Sequence, residues 1–449
     1  MRIPTSSEME ALVLAVQQAQ SHARPRGMPP AVGLLYQPVP LPGFPKTPAE
    51  RDSSRQRLEL IQRHVDFHDK HVLDLGCANG FFLLSLHEVI ADGLGVDHFQ
   101  GNVDTCDALI SAYDIQNLRF RRGSITKQLV EELTADRRFD VCFLMSVHHH
   151  LVRDVGIDET KAIIQHLASA CDLLIIEQGS LTQDEYSSWT GRDEAFVTNS
   201  YTRLVSMLES CGIETQTCRP LGLGKYLSGL RPDEEGSGRA IVCVGGTTRL
   251  DWCKRKRHKN SVLMEILKTS DGIVWKNVIQ GPSLAAREAK NLELVDGPHF
   301  PKLLNFQDQC LKLEARKVKP IADVLEQLPK DLIRASCIDA LLGLAKAGLV
   351  HNELHGEHLV WDDVDNCAVI LDFETAWHVG EPRQTWLDEV AAGNPALGLG
   401  LYEHALLRED PLGVDLVSMN ALFHMWGLDR LTADETHAYR NQLSQMASQ

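Results

Sequence analysis

A chain of 449 residues exceeds what one hydrophobic core usually holds, so two or three domains are expected, each able to bury its own core. With 45 Lys and Arg against 61 Asp and Glu, the net charge of −16 has the wrong sign for affinity to a nucleic-acid backbone, which argues against DNA or RNA as the main partner. Residues 1–30 hold no apolar core of signal-peptide length, and no apolar run approaches the roughly 20 residues of a membrane span; the sequence therefore predicts a soluble, cytoplasmic protein without a transmembrane segment.

Residues 1–45 open with a short helix and pass into a Pro-rich stretch, Pro25 through Pro45, expected to be an extended arm that makes no packed core. Thr47 to His64 reads as a helix with Thr47 as cap and Pro48 in its first turn. Its Arg51, Arg55 and Arg57 either cover a pocket of the following domain or form an exposed face. From Lys70 to about Gly246, strands and helices alternate as in a doubly wound parallel sheet. The strands are Val72 to Leu75, Leu94 to Asp97, Leu118 to Arg121, Val141 to Met145 and Leu173 to Glu177, with one more near Glu214 to Cys218 and a closing one at Ala240 to Val244.

After Gly245-Gly246 the character changes. Arg249, Lys254, Arg255, Lys256, Arg257 and Lys259 crowd one short stretch, fit either to meet phosphate or an anionic membrane face, or to form a solvated first strand. Apolar β-type segments follow at Val262 to Leu267 and Gly272 to Val278, and residues 330–349 form an amphipathic helix. The expected division is an arm and helix over 1–60, an α/β domain over 61–248 and a second, α+β domain over 249–449. Eleven Cys show no CxxC pairing, and Cys142, Cys171 and Cys243 sit in apolar runs, so reduced, buried thiols fit better than disulfides or zinc ligands.

Two stretches carry chemistry. The first is Val72-Leu73-Asp74-Leu75-Gly76-Cys77-Ala78-Asn79-Gly80, an apolar strand entering a glycine turn, with the next strand ending at Asp97. Gly76 and Gly80 let backbone approach a ligand where no side chain fits, and a carboxylate at Asp97 can accept both ribose hydroxyls of an adenosine. Together with Phe139 to Met145, these residues resemble class I S-adenosylmethionine-dependent methyltransferases over roughly residues 60–246. The resemblance implies a donor contacted by Asp74, by Gly76, Cys77, Ala78 and Gly80 of the turn, by Asp97 with its neighbour His98, by Ser124 and Ile125 beside the adenine, and by Ser146. A Rossmann domain binding NAD is the competing reading, against which stands the missing tight Gly-x-Gly-x-x-Gly. After the fourth strand, His148-His149-His150 offers a general base for an acceptor hydroxyl, with His148 the candidate, or else a pocket wall that caps the next helix. Three consecutive His cannot all face one metal.

The second stretch is Val350-His351-Asn352-Glu353-Leu354-His355-Gly356-Glu357-His358-Leu359-Val360, followed after a short hairpin by Ile370-Leu371-Asp372-Phe373-Glu374. Upstream, Lys276 ends a strand-like run, Glu288 lies in the helix Ala285 to Leu294, and Leu311 to Glu314 looks like a hinge strand. This order resembles the protein-kinase-like fold, especially its aminoglycoside and choline phosphotransferase branch, over about residues 255–400. The resemblance implies Lys276 on the nucleotide phosphates, Glu288 fixing it, Glu314 by the adenine, Glu353 in place of the base Asp, His358 in place of the metal-binding Asn, and Asp372 on magnesium. Glu374 stands where Gly is usual, and no glycine-rich loop is evident between 249 and 272. Glu353 adds a methylene, and magnesium prefers oxygen to the nitrogen of His358. Two readings stand: an unusual active kinase using ATP with magnesium, and a nucleotide-binding pseudokinase.

A methyltransferase followed directly by a kinase-like domain resembles the bifunctional enzymes that end O-antigen polysaccharide chains, although the long carboxyl-terminal coiled coil of those enzymes is missing. The likeness is carried by Val72 to Asp97 and Ser146 to Glu177, with the helix start Gly156-Ile157-Asp158-Glu159. It implies work at the inner-membrane face, as a peripheral protein, on lipid-linked polysaccharide or its sugar-phosphate terminus, with polysaccharide-assembly proteins as partners. The alternative is a regulatory methyltransferase–pseudokinase that controls polysaccharide length; a small-molecule methyltransferase fused to an antibiotic-type kinase is a third reading.

Overall fold

The computed structural model describes residues 1–21, 35–46, 49, 53–177, 200–224, 238–258, 261–279, 282–307, 309–386 and 410–448. They divide into two compact units, Met1–Asp251 and Trp252–Gln449.

The first unit is built on β1 (His71–Leu75), β2 (Asp92–Asp97), β3 (Leu118–Arg122), β4 (Phe139–Met145), β5 (Cys171–Glu177), β6 (Cys218–Gly224) and β7 (Arg239–Gly245). They pair in the order β3-β2-β1-β4-β5-β7-β6. β1 to β5 run parallel, as expected of a doubly wound sheet; the central β1, β4 and β5 are largely buried, while the edge strand β3, Leu-Arg-Phe-Arg-Arg, is mostly exposed. β7 runs antiparallel to β5, and β6 antiparallel to β7. The strand order reverses between β1 and β4, so the ends of these strands open onto the crevice where such folds bind ligands.

The antiparallel β7 has a positional consequence. Its first residue, Arg239, arrives at the edge where β4 and β5 end, because Glu177 pairs with Ile241.

Three expectations need correction here. The strand foreseen at Glu214 to Cys218 is a 3-10 turn at Thr215–Thr217, and the strand begins only at Cys218. Its Pro220 and Gly222 disguise it in the sequence; they are tolerated because β6 is an edge strand whose register shifts between those two residues. The helix foreseen from Thr47 is α2, Ser54–Gln62, with Ala49 in an isolated bridge to Leu35; Thr47, Pro48 and Arg51 lie outside the described residues. Finally, the Pro-rich segment does pack, in its described part: Leu35, Leu41 and Phe44 are buried in the core of this unit. Prolines prevent a helix or a central strand, yet an extended chain can still insert single apolar side chains.

The opening helix α1 (Ser6–Ser21) lies along α4 (Gln100–Tyr113), close enough that a Cβ on Gly101 would stand 2.3 Å from the Ala19 carbonyl oxygen. Between them in sequence is the short α3 (Phe81–Leu86). Beyond β3 come α5 (Lys127–Ala135), α6 (His148–Val155) and α7 (Ile157–Ala170), the last starting at the foreseen Gly156 with Asp158 and Glu159 in its first turn. Ten of the eleven Cys are buried and all are free, as the sequence led us to expect.

The second unit starts with a five-stranded sheet of β8 (Leu250–His258), β9 (Ser261–Thr269), β10 (Ile273–Val278), β11 (Leu303–Gln307) and β12 (Cys310–Glu314), in the order β11-β12-β10-β9-β8. The basic stretch forms β8, with Asp251 to Lys254 exposed; Lys259 lies outside the described residues. Lys276 sits in the middle of β10, not at its end, paired with Ile266 and Leu311. The helix Pro282–Leu294 packs on this sheet.

A mostly helical part follows. The helix Lys330–Lys346 ends earlier than foreseen, because Leu349–Val350 turns away into a two-residue strand pairing with Trp377–His378. It packs against the hairpin Leu359–Asp362/Cys367–Ile370 and against the helix Ala433–Ala447. The result is the small sheet plus helical lobe of the kinase-like α+β architecture. Among the described residues, no helix is long and apolar enough to cross a membrane.

Candidate functional site

In the first unit, the turn after β1 is held against the end of β2. Gly76 and Cys77 both donate backbone N–H to the Val96 carbonyl, at 2.8 and 3.1 Å, and Ala78 donates to Asp97 Oδ2 at 3.0 Å. Gly76 and Gly80 both have positive φ, 79° and 80°, which explains glycine there. A Cβ on Gly76 would also stand 2.5 Å from a Val147 methyl, so the position is closed by packing as well as by any ligand.

Asp97 is buried, and its other oxygen accepts from the Phe99 N–H at 2.9 Å and from Asn102 Nδ2 at 3.0 Å. With three donors already on a carboxylate that offers about four lone pairs, one further donor fits without displacing a protein group. The foreseen grip on two ribose hydroxyls requires one of these partners to give way. Gly123 N–H donates to the Asp97 carbonyl at 2.9 Å, which brings the loop of Ser124 and Ile125 beside Asp97; Ser124 is exposed and Ile125 half-buried. The His98 side chain is largely exposed.

Asp74 is 1% exposed, and its Oδ2 has no hydrogen-bond partner. Burial, reinforced by the nearby Asp97 charge, pushes its carboxyl up to about 8. An unsatisfied buried acid beside the turn is expensive for a protein without a ligand, and the group suits a cationic partner.

At the ends of β4 and β5 lies a network that sequence reasoning largely missed. Ser146, at φ 56°, donates its hydroxyl to Glu177 Oε2 and accepts from Arg239 Nη1 at 2.7 Å. Arg57 Nε stands 2.8 Å from Glu177 Oε1, and Glu177 is fully buried. A Cβ on Gly224 would stand 2.8 Å from Glu177 Oε1 and 3.0 Å from Arg57 Cγ, so a side chain there would displace the pair. Of the two readings offered for Arg57, the exposed face is excluded; Arg55 is exposed. The signals available in sequence were single charged residues bounding apolar runs: Glu177 after Leu-Leu-Ile-Ile and Arg239 before Ala-Ile-Val-Cys-Val.

His148 is buried at the start of α6, where burial and then the positive Arg239 push it down to about 4, partly offset by a hydrogen bond with the Glu177 backbone. His149 and His150 are also lowered, chiefly by burial. All three are neutral at pH 7, the state a base requires.

In the second unit, Lys276 is buried with Glu288 Oε2 at 2.6 Å, an Asp372 oxygen in direct contact and Glu374 Oε2 at 3.4 Å. Burial works against its charge, and the three carboxylates more than compensate, raising its pKa. Glu288 is raised by burial against the pull of Lys276. Among the described residues, Glu288, Asp372 and Glu374 place ligand oxygens within 4.8 Å of one another. Three acids on one lysine leave negative charge for a divalent cation; Glu374 joins the expected Asp372 there.

His358 faces Asp372 Oδ2 through Nε2 at 3.2 Å, and its Nδ1 lies 2.9 Å from the Glu353 carbonyl oxygen. Both ring nitrogens are thus engaged by protein atoms, and a metal contact requires Nε2 to release Asp372. Glu353 is half-buried, its carboxylate accepting from Thr375 Oγ1 at 3.4 Å. The loop that carries it is fixed from below by an unforeseen residue. Asp415 accepts from the N–H groups of His351 and Asn352, at 2.6 and 3.0 Å, and from Tyr439 Oη at 3.1 Å. Burial raises Asp415 to about 6 despite these donors. His351 Nε2 donates to the Leu371 carbonyl at 2.9 Å, tying the loop to the residue before Asp372. Glu314 is exposed at the end of β12.

Residues 66–177 match the family model described as a methyltransferase domain, and the first unit carries that domain. The O-antigen chain terminator bifunctional methyltransferase/kinase WbdD of Escherichia coli is 38% identical over 135 residues, which cover 29% of this chain and only 19% of the relative's length. The serine/threonine-protein kinase csk1 of Schizosaccharomyces pombe is 26% identical over 147 residues, 30% of this chain and 47% of that protein. A crystal structure of WbdD, 22% identical, covers 97% of this chain and 100% of the solved one, with a TM-score of 0.45.

Proposed function

We propose that the first unit transfers a methyl group from S-adenosylmethionine to the terminus of a lipid-linked glycan or its sugar phosphate, and that the kinase-like unit serves the same acceptor. The observation that carries the donor assignment is the pair of buried acids at the strand-order reversal: Asp97 at the end of β2 and Asp74 with its unpartnered Oδ2, both inside residues 66–177. Asp74 suits the donor's α-ammonium, Asp97 a ribose hydroxyl, and Ser124 and Ile125 the adenine. In transfer, an acceptor oxygen forms a bond to the methyl carbon as the carbon–sulfur bond breaks, and the sulfonium becomes the neutral thioether of S-adenosylhomocysteine. An acceptor hydroxyl releases its proton to His148, whereas a phosphate oxyanion requires no base.

The kinase-like unit is inferred to hold ATP with magnesium. Lys276, fixed by Glu288, meets the phosphates, Asp372 and Glu374 the cation, and Glu353 the acceptor hydroxyl. The glycan acceptor is proposed from the likeness to the E. coli O-antigen chain terminator, and with it work at the cytoplasmic face of the inner membrane beside the polysaccharide-assembly proteins. Mass spectrometry of polysaccharide from cells with and without this protein tests the reading. The expected result is a terminal methyl, with or without phosphate, lost in its absence; identical spectra overturn it.

A further inference from the structure

The glycine turn of the first unit is gripped from a side that the sheet does not supply. The Gln37 N–H donates to Asn79 Oδ1 at 2.9 Å, and Asn79 Nδ2 donates back to the Gln37 carbonyl at 2.9 Å. The Gln37 side chain reaches one residue past the turn, where its Oε1 accepts from the Phe81 N–H at 3.4 Å. Asn79 is 0% exposed and Gln37 7%, so these bonds are shielded from water and none is replaceable by it without cost.

Gln37 is itself held in place. Leu35 and Leu41 are buried on either side of it, Leu35 bridges Ala49, and Tyr113 Oη donates to the Pro42 carbonyl at 2.9 Å. The segment from Leu35 to Phe44 is therefore anchored on the core at several points and reaches the turn at one.

Ala78 and Gly80 both hold positive φ, and the N–H groups of Gly76, Cys77 and Ala78 all donate toward the end of β2, while the Ala78 carbonyl accepts from Cys106 Sγ at 3.8 Å. A ligand lying on this turn beside Asp97 rests on backbone that the Gln37–Asn79 pair also holds.

We propose that the segment Leu35–Phe44 is a brace on the glycine turn of the donor site and that Gln37 and Asn79 are positioning residues, setting the backbone of Cys77 to Gly80 for the donor without touching it. This inference rests on the methyltransferase reading above. Its energetic logic is preorganisation: a turn already fixed loses less freedom when the donor binds, so releasing it weakens binding while leaving the number of competent sites unchanged.

The test uses the full chain, titrated with S-adenosylhomocysteine in a calorimeter. Asn79→Ala and Gln37→Ala are each expected to raise Kd by about tenfold with stoichiometry unchanged. Gln37→Glu, which keeps an acceptor for Phe81, is expected to return most of the loss. A merely structural role gives the opposite signature, a fall in stoichiometry with Kd unchanged, and overturns the inference. So does wild-type affinity in both alanine variants; Gln37→Ala decides alone if Asn79→Ala does not fold. Absence of binding by the wild-type chain is distinguishable from all of these and removes the methyltransferase reading together with the brace.

Discussion

Arg57 stands 2.8 Å from Glu177, and the pair joins the helix before the sheet to the end of its fifth strand in a place closed to water. Glu177 Oε2 keeps the Ser146 hydroxyl, but without Arg57 its buried Oε1 loses the guanidinium beside it. Arg57→Ala should therefore lower the stability of the first unit by about 3–5 kcal/mol, well beyond an ordinary surface substitution. Denaturant titration reads the change directly, and a loss within experimental error of zero would show that Glu177 is satisfied without Arg57.

Asp74 gives a pH dependence with a definite sign. Its carboxyl is pushed up to about 8 in the folded chain against 3.8 for the ordinary group, so the folded state holds this proton more tightly than the unfolded state. The associated stability is fully present below pH 3.8 and is lost as pH rises through about 8. Asp74→Asn should then be more stable than wild type at pH 9 and show a much smaller advantage at pH 5. Donor affinity should fall in the same variant, since the amide offers no charge to an ammonium. Parallel stability profiles for the two proteins would contradict the burial of an unpartnered Asp74.

The three His distinguish the acceptors. His148→Gln, alone or combined with His149→Gln and His150→Gln, should reduce transfer to a hydroxyl by about 10² to 10⁴ and leave transfer to a phosphate oxygen unaffected. Because His148 is lowered to about 4, its protonation should not depress the rate between pH 7 and pH 5. Undiminished transfer to a hydroxyl acceptor in the triple variant removes His from the mechanism.

For the kinase-like unit, Glu353→Gln should abolish phosphoryl transfer while nucleotide still binds, because the amide keeps the shape and cannot take the acceptor's proton. The double variant Glu353→Asp, His358→Asn provides the comparison. If the wild-type rate is at background and the double variant rises above it, the unit is a pseudokinase derived from an active form. Clear wild-type transfer to a glycan rejects the pseudokinase reading.

Much of this was legible in the chain because the signals were local. An apolar run ending in Asp74-Leu75-Gly76 fixes a strand and its turn, and the strands β1 to β5 were all foreseen within two residues of their observed ends. Lys276, Glu288 and Asp372 come from three distant segments, yet each lies in a local context that marks it, and the structure brings them together. What escaped were partnerships without a local signature. Gln37 and Asn79 are ordinary polar residues until the fold closes the 42-residue separation between them. Arg239 depends on β7 running antiparallel, which periodicity does not encode. Asp415 begins a helix far downstream and looks like a first-turn acid, although its work is to hold the N–H groups of His351 and Asn352. The Pro-rich segment misled because composition reports what backbone cannot form, not which single side chains it can bury.

Calorimetric titration of the full chain with S-adenosylmethionine tests the central claim most directly, with Asp97→Ala beside the wild type. Removing the carboxylate takes away the proposed acceptor for a ribose hydroxyl and the anchor of the Ala78 N–H. The account predicts saturable binding by the wild type and a loss of roughly 1.5–3 kcal/mol in the variant, about ten- to a hundredfold in affinity. No heat of binding from the wild type, or equal affinity in the variant, would contradict it.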